Sequence, residues 1–175
     1  MKNITGNLWD QECDALVITT NGFVKTNGEA VMGRGCAKEA CNLIPGLAAT
    51  LGRKLAQKGN APFVIGTHKE RRIVSFPVKP AKVLFNDANV VVHMKSRFKV
   101  GDIVPGWAAK AELHIITHSA NILVAMADTF GWQKIVLPRP GCGAGELDWA
   151  KVEPILSQIL DDRFYCITFG NGGAA

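Results

Sequence analysis

Val136-Leu137-Pro138-Arg139-Pro140-Gly141-Cys142-Gly143-Ala144-Gly145-Glu146-Leu147-Asp148-Trp149 is the stretch that decides the fold. It reads as a buried strand, then a glycine-rich turn, then the start of a helix. Backbone amides exposed at such a turn, beside a helix N-terminus, form a ready site for phosphate. Gly141, Gly143 and Gly145 lack the side chains that would block a close approach and permit positive φ. A second loop of this kind lies upstream, at Asn27-Gly28-Glu29-Ala30-Val31-Met32-Gly33-Arg34-Gly35. It also follows an apolar run and precedes a helix-like one. Two such loops predict a ligand with two phosphates held between them.

The rest of the chain alternates in the same way. Residues 4–9 read as a first strand, and residues 15–20, Ala-Leu-Val-Ile-Thr-Thr, as a buried central strand. Helices are expected at 30–44, broken by Pro45, and at 47–57, stopped near Gly59. Strands follow at 63–68, 73–76 and 89–93, and a helix at 115–130 ending at Gly131. A strand at 134–137, a helix at 149–160 and a strand at 165–169 complete the pattern. This alternation predicts a three-layer α/β/α sandwich around a mixed, largely parallel sheet. In such sheets ligands bind beyond the carboxyl ends of the strands, where both glycine loops can meet. One domain covers residues 1–175, with an insertion near 80–112 that is the least legible part.

The bulk composition bounds the function. Hydrophobic content of 47% and charged content of 20% fit a globular chain that buries a real core. No apolar run approaches the ~20 residues needed to span a bilayer, and the N-terminal residues lack a signal-peptide stretch. A cytoplasmic location follows as the expectation, with no membrane partner. The five cysteines are odd in number, far apart and without metal-ligand spacing, so reduced packing thiols are expected. The net charge of +5 gathers between Lys69 and Lys110, with Phe98 and Trp107 among the basic residues. That is either a solvated basic surface or a nucleic-acid surface.

Single residues carry two readings each. Asn21, in Thr19-Thr20-Asn21-Gly22, either makes an Asn-Gly turn or hydrogen-bonds a sugar hydroxyl or water. Lys79, after a strand, is either a solvated loop charge or a cation that meets a phosphate or leaving group. Glu146 and Asp148 either cap the helix or act as a base. His114 and His118 lie at i, i+4 but lack the glutamate of a His-Glu-x-x-His zinc motif, so a helix surface is favoured. The 141–145 loop is not followed by Gly-Lys-Ser/Thr and lacks the Gly-x-Gly-x-x-Gly form, which disfavours ATP hydrolysis and hydride transfer.

Taken together, Gly6-Asn7-Leu8, Thr20-Asn21-Gly22, residues 27–37, Ser75-Phe76-Pro77-Val78-Lys79 and residues 137–149 resemble a macrodomain, the ADP-ribose-binding α/β/α module. The likeness runs from residue 4 to 169 and leaves out 80–112. Its Met-Gly-x-Gly and Gly-Cys-Gly-x-Gly-x-Leu-x-Trp forms look most like the branch with terminal ADP-ribose glycohydrolase and yeast-type ADP-ribose-1″-phosphate phosphatase. The resemblance implies an ADP-ribose site of Asn7, Leu8, Thr20, Asn21, Gly28, Val31, Met32, Gly33, Gly35, Pro138, Pro140, Gly141, Cys142, Gly143, Ala144, Gly145 and Phe169. Asn7 stands where the family usually has an adenine-binding aspartate, and Phe169 is implied to pack near adenine. Asn21 and Lys79 are the implied reactive residues, and no metal or cofactor is implied. The glycohydrolases pair the lysine with a loop aspartate, a position held here by Gly145, and the register expected of Glu146 and Asp148 places both on the helix. The alternative activity is therefore hydrolysis of ADP-ribose 1″-phosphate or an ADP-ribosyl ester through Asn21, a water and loop amides. Nucleic-acid binding through residues 69–110 is the third reading.

Overall fold

The computed structural model describes residues 1–169. Eight strands are formed: β1 (Lys2–Thr5), β2 (Ala15–Asn21), β3 (Phe63–His68), β4 (Arg71–Lys79), β5 (Lys82–Leu84), β6 (Ile103–Pro105), β7 (Ile135–Pro138) and β8 (Phe164–Thr168). Four α-helices accompany them: α1 (Gly35–Leu43), α2 (Leu47–Lys58), α3 (Leu113–Phe130) and α4 (Trp149–Ile159). Six strands make one sheet in the order β1-β8-β7-β2-β4-β3. Its pairs are parallel except β3 against β4. β5 and β6 form a separate antiparallel pair within residues 80–112.

The period-2 alternation of strand side chains explains the layers. In β2, Ala15 and Val17 pack with α3 and α4, through Ile116, Leu123, Val152 and Leu156. Leu16 and Ile18 turn to the other face and meet Ala37 and Ala40 of α1 and Leu47, Leu51 and Leu55 of α2. β7 splits likewise, with Ile135 and Leu137 on the first face and Val136 on the second. Both faces of the central strands are covered, which is why these strands read as continuous apolar runs. The expected α/β/α sandwich and largely parallel sheet are what the chain forms.

Several local expectations change. The first strand ends at Thr5, and Leu8–Asp10 is a 3₁₀ turn. α1 begins at Gly35 rather than at residue 30, because Ala30 bridges Val24 instead of entering a helix. Residues 89–93 are not a strand: Val90 makes an isolated bridge to Ala109, and a 3₁₀ helix covers Val92–Arg97. β4 runs on through Pro77 to Lys79, beyond the last pairing with β3 at Ser75. The 80–112 segment has its own small core of Val90, Val91, Met94, Val104 and Ala108. Among the described residues no helix is long and apolar enough to cross a membrane.

Candidate functional site

A cavity of about 400 Å³ opens at the carboxyl ends of β2, β4, β7 and β8. Its floor comes from β2 and β4: Thr19, Thr20, Asn21, Val78 and Lys79. One wall is the first glycine loop with the start of α1, from Val31 to Ala37. The opposite wall is Pro138, Arg139, Gly141, Gly143, Ala144 and Gly145, with Phe169 at one end and Trp107 from the 80–112 segment also lining the cavity.

Both loops offer unused donors. Among the described residues, no acceptor is hydrogen-bonded to the backbone N–H of Gly33, Arg34, Gly35, Gly143, Ala144 or Gly145. The loop amides that are engaged lie on its far side: Cys142 donates to Arg139 O, Glu146 to Gly143 O and Leu147 to Gly141 O. Unpaired amides at a helix start and in a glycine turn are anion-binding geometry. The three loop glycines serve different ends. Gly141 has a φ of +76°. Gly143 has open space where a Cβ would stand. Gly145 is enclosed, with Gly141 O at 2.5 Å and Ala111 Cβ at 2.6 Å from such a Cβ. An aspartate side chain has no room at that position, so its absence has a packing cause.

Asn21 is buried, and both its side-chain atoms are engaged: Nδ2 donates to Val31 O at 3.0 Å, and Oδ1 accepts from Phe23 N at 3.0 Å. The Asn-Gly turn and the site therefore share one residue, which ties the first loop to the end of β2. Thr20 Oγ1 is buried beside it without a hydrogen-bond partner among the described residues. Among the described residues Arg139 Nε is likewise unpartnered, while its guanidinium lies 4.9 Å from the centre of the Trp149 ring.

Lys79 is no solvated loop charge. It is the last residue of β4, only 7% exposed, and its Nζ donates to Trp107 O at 3.4 Å. Burial lowers its pKa from 10.5 to about 8; Glu146 opposes that shift and Arg34 adds to it. Asp148 caps α4 through a hydrogen bond from Ala150 N. Glu146 is not on the helix as its register implied: it stays in the loop at a φ of +59°. The thiols of Cys36 and Cys142 are pushed up by burial, Cys142 to about 11, which leaves them protonated and unreactive at neutral pH.

Of the residues expected at the site, Thr20, Asn21, Val31, Met32, Gly33, Gly35, Lys79, Pro138, Gly141, Gly143, Ala144, Gly145 and Phe169 line this cavity. Asn7, Leu8, Gly28, Pro140 and Cys142 do not. Leu8 is core, and Asn7 caps the 3₁₀ turn by accepting from Trp9 N. Gly28 closes a turn by donating to Lys25 O, and the Cys142 side chain packs against the core. Trp107 and Arg34 also line the site and were not foreseen there. Trp107 reaches Lys79 across 28 residues of sequence, a contact that no local pattern announces.

A larger hollow of about 810 Å³ lies at the opposite end of the sheet, around the starts of β2 and β4, between the 9–14 and 69–72 stretches. Acids and bases are mixed around it, and Arg71 there donates Nε to His68 O and Nη1 to the carbonyls of Trp9 and Gln11, with Nη2 unpartnered among the described residues. No glycine lines it, and Asp10, Glu12, Asp14 and Glu70 on its walls oppose an anionic ligand. The basic run from 69 to 110 is thereby divided. Arg71 and Lys79 sit at opposite ends of β4, roughly 25 Å apart at the rise of a strand.

Solved structures share this architecture. The macrodomain of Mycobacterium tuberculosis DarG superposes with a TM-score of 0.69 at 22% identity, over 98% of this chain and 97% of that one. The macrodomain of Thermus aquaticus DarG gives 0.65 at 20% identity, over 95% of both. Thermosipho africanus DarTG, solved in complex with ADP-ribose, gives 0.68 at 16% identity over 99% of this chain, which spans 42% of that protein. No family model matches the sequence, and no curated protein does. The chain has the macrodomain fold.

Proposed function

We propose that the cavity binds ADP-ribose or a molecule that carries it. The observation behind this reading is the pair of amide sets on one cavity, at residues 33–35 and 143–145, without acceptors among the described residues. Both sets line one cavity, and capture of a diphosphate by backbone dipoles requires no metal. The fold neighbour solved with ADP-ribose supports the choice of ligand. Adding ADP-ribose to ¹⁵N-labelled protein should shift the amide resonances of Gly33, Gly35, Gly143, Ala144 and Gly145. Shifts confined to other regions would overturn the reading.

Lys79 favours a second reading, hydrolysis of a bond at the terminal ribose. At about 8, its depressed pKa leaves a fraction of neutral amine near neutral pH, suited to a base or nucleophile. Phosphate release from ADP-ribose 1″-phosphate should then rise as pH passes through 8 and vanish in Lys79→Ala. Binding without any turnover leaves a binding module.

A further inference from the structure

The 80–112 segment is fastened to the second glycine loop at several points. Glu146 Oε1 accepts from Val92 N at 2.8 Å, and Glu146 Oε2 lies 3.5 Å from Lys110 Nζ. Ala111 N donates to Gly145 O at 3.0 Å. From the other side, Trp107 O accepts from Lys79 Nζ. Glu146 adopts its positive φ although it carries a full side chain, a conformation that persists only when its surroundings hold it. We propose that Glu146 latches the 80–112 segment to the second glycine loop, so that Trp107 is held at the Lys79 end of the cavity and meets any group the ligand carries beyond that point.

Glu146 is thus a positioning residue, and two kinds of interaction are separable in it. Its oxygen anchors the backbone of the segment at Val92. Its charge acts on Lys79, where Arg34 is the opposing group. Neither role depends on the identity of the ligand, so the inference stands or falls apart from ADP-ribose binding.

The test uses the full chain without ligand and three proteins: wild type, Glu146→Ala and Glu146→Gln. Glutamine keeps an acceptor for Val92 N and removes the charge. Two quantities are read by NMR: amide hydrogen exchange, residue by residue, and the titration midpoint of the Lys79 side chain. In Glu146→Ala, exchange at Val92 and Ala111 should rise about ten-fold or more while β2 and β7 amides keep their rates. The Trp107 indole resonance should move with it. In Glu146→Gln, exchange should stay near wild type while the Lys79 midpoint falls. Unchanged exchange at Val92 in Glu146→Ala, or equal acceleration throughout the sheet, would overturn the latch. If the alanine protein fails to fold, a fourth protein decides the matter: Val92→Pro removes the donated N–H at the first position of the 3₁₀ helix, where proline is tolerated, and unchanged exchange at Ala111 in it would overturn the latch.

Discussion

At the scale of single residues, the site depends on where side chains are missing and on one that is buried. Gly145 is closed in by Gly141 O and Ala111 Cβ. Gly145→Asp should therefore destabilise the protein by about 1–3 kcal/mol through overpacking, read as a lowered denaturant midpoint. A neutral result would show that the loop yields freely. Lys79 makes a prediction of opposite sign. Its native pKa, about 8, lies below the ordinary 10.5, so between these values the unfolded chain binds more protons than the folded one. Stability should rise with pH across that window. Below pH 8 the burden of the buried charge is present in full. Lys79→Met should raise the melting temperature most below pH 8, with the gain shrinking towards pH 10.5. A gain independent of pH would mean that the ammonium is not the source. The sequence displayed both residues, but it could not show that one lysine was buried or that one glycine was walled in. Both facts depend in part on contacts with the 80–112 segment, through Trp107 and Ala111.

At the scale of elements, the strands and helices were legible wherever one periodicity held. β2, β7, β8 and α2 to α4 stand close to where their patterns placed them. The misplacements occur where tertiary contacts replace pattern. The run from residue 30 looked helical, but its first part bridges to Val24 and its carbonyl at Val31 is held by Asn21. Packing of α2 against this loop is close enough to test. A Cβ on Gly52 would overlap Gly28 O and crowd Ala30 N. Alanine gains about 1 kcal/mol over glycine in helix propensity, but backbone overlap in a packed contact costs about 1–3 kcal/mol. Gly52→Ala should therefore lower the melting temperature by a few degrees and loosen the first loop. A raised melting temperature would show that propensity wins and that α2 moves at no cost.

At the scale of the whole molecule, hollows lie at both ends of the strands, and the one at the carboxyl ends is lined by both glycine loops. The layer order was readable because doubly covered strands and amphipathic helices leave few ways to pack. Charge was less informative. The basic excess read along the chain as one region, whereas the fold sends its members to opposite ends of β4. The central claim is that facing loop amides capture ADP-ribose. Titration calorimetry with ADP-ribose, beside AMP and ATP, tests it most directly. Selective binding at micromolar affinity or tighter, about −8 kcal/mol, is expected. Gly143 has open space for a side chain, so Gly143→Glu should abolish that binding while the protein melts as wild type does. No heat from ADP-ribose, or equal binding in Gly143→Glu, would contradict the account.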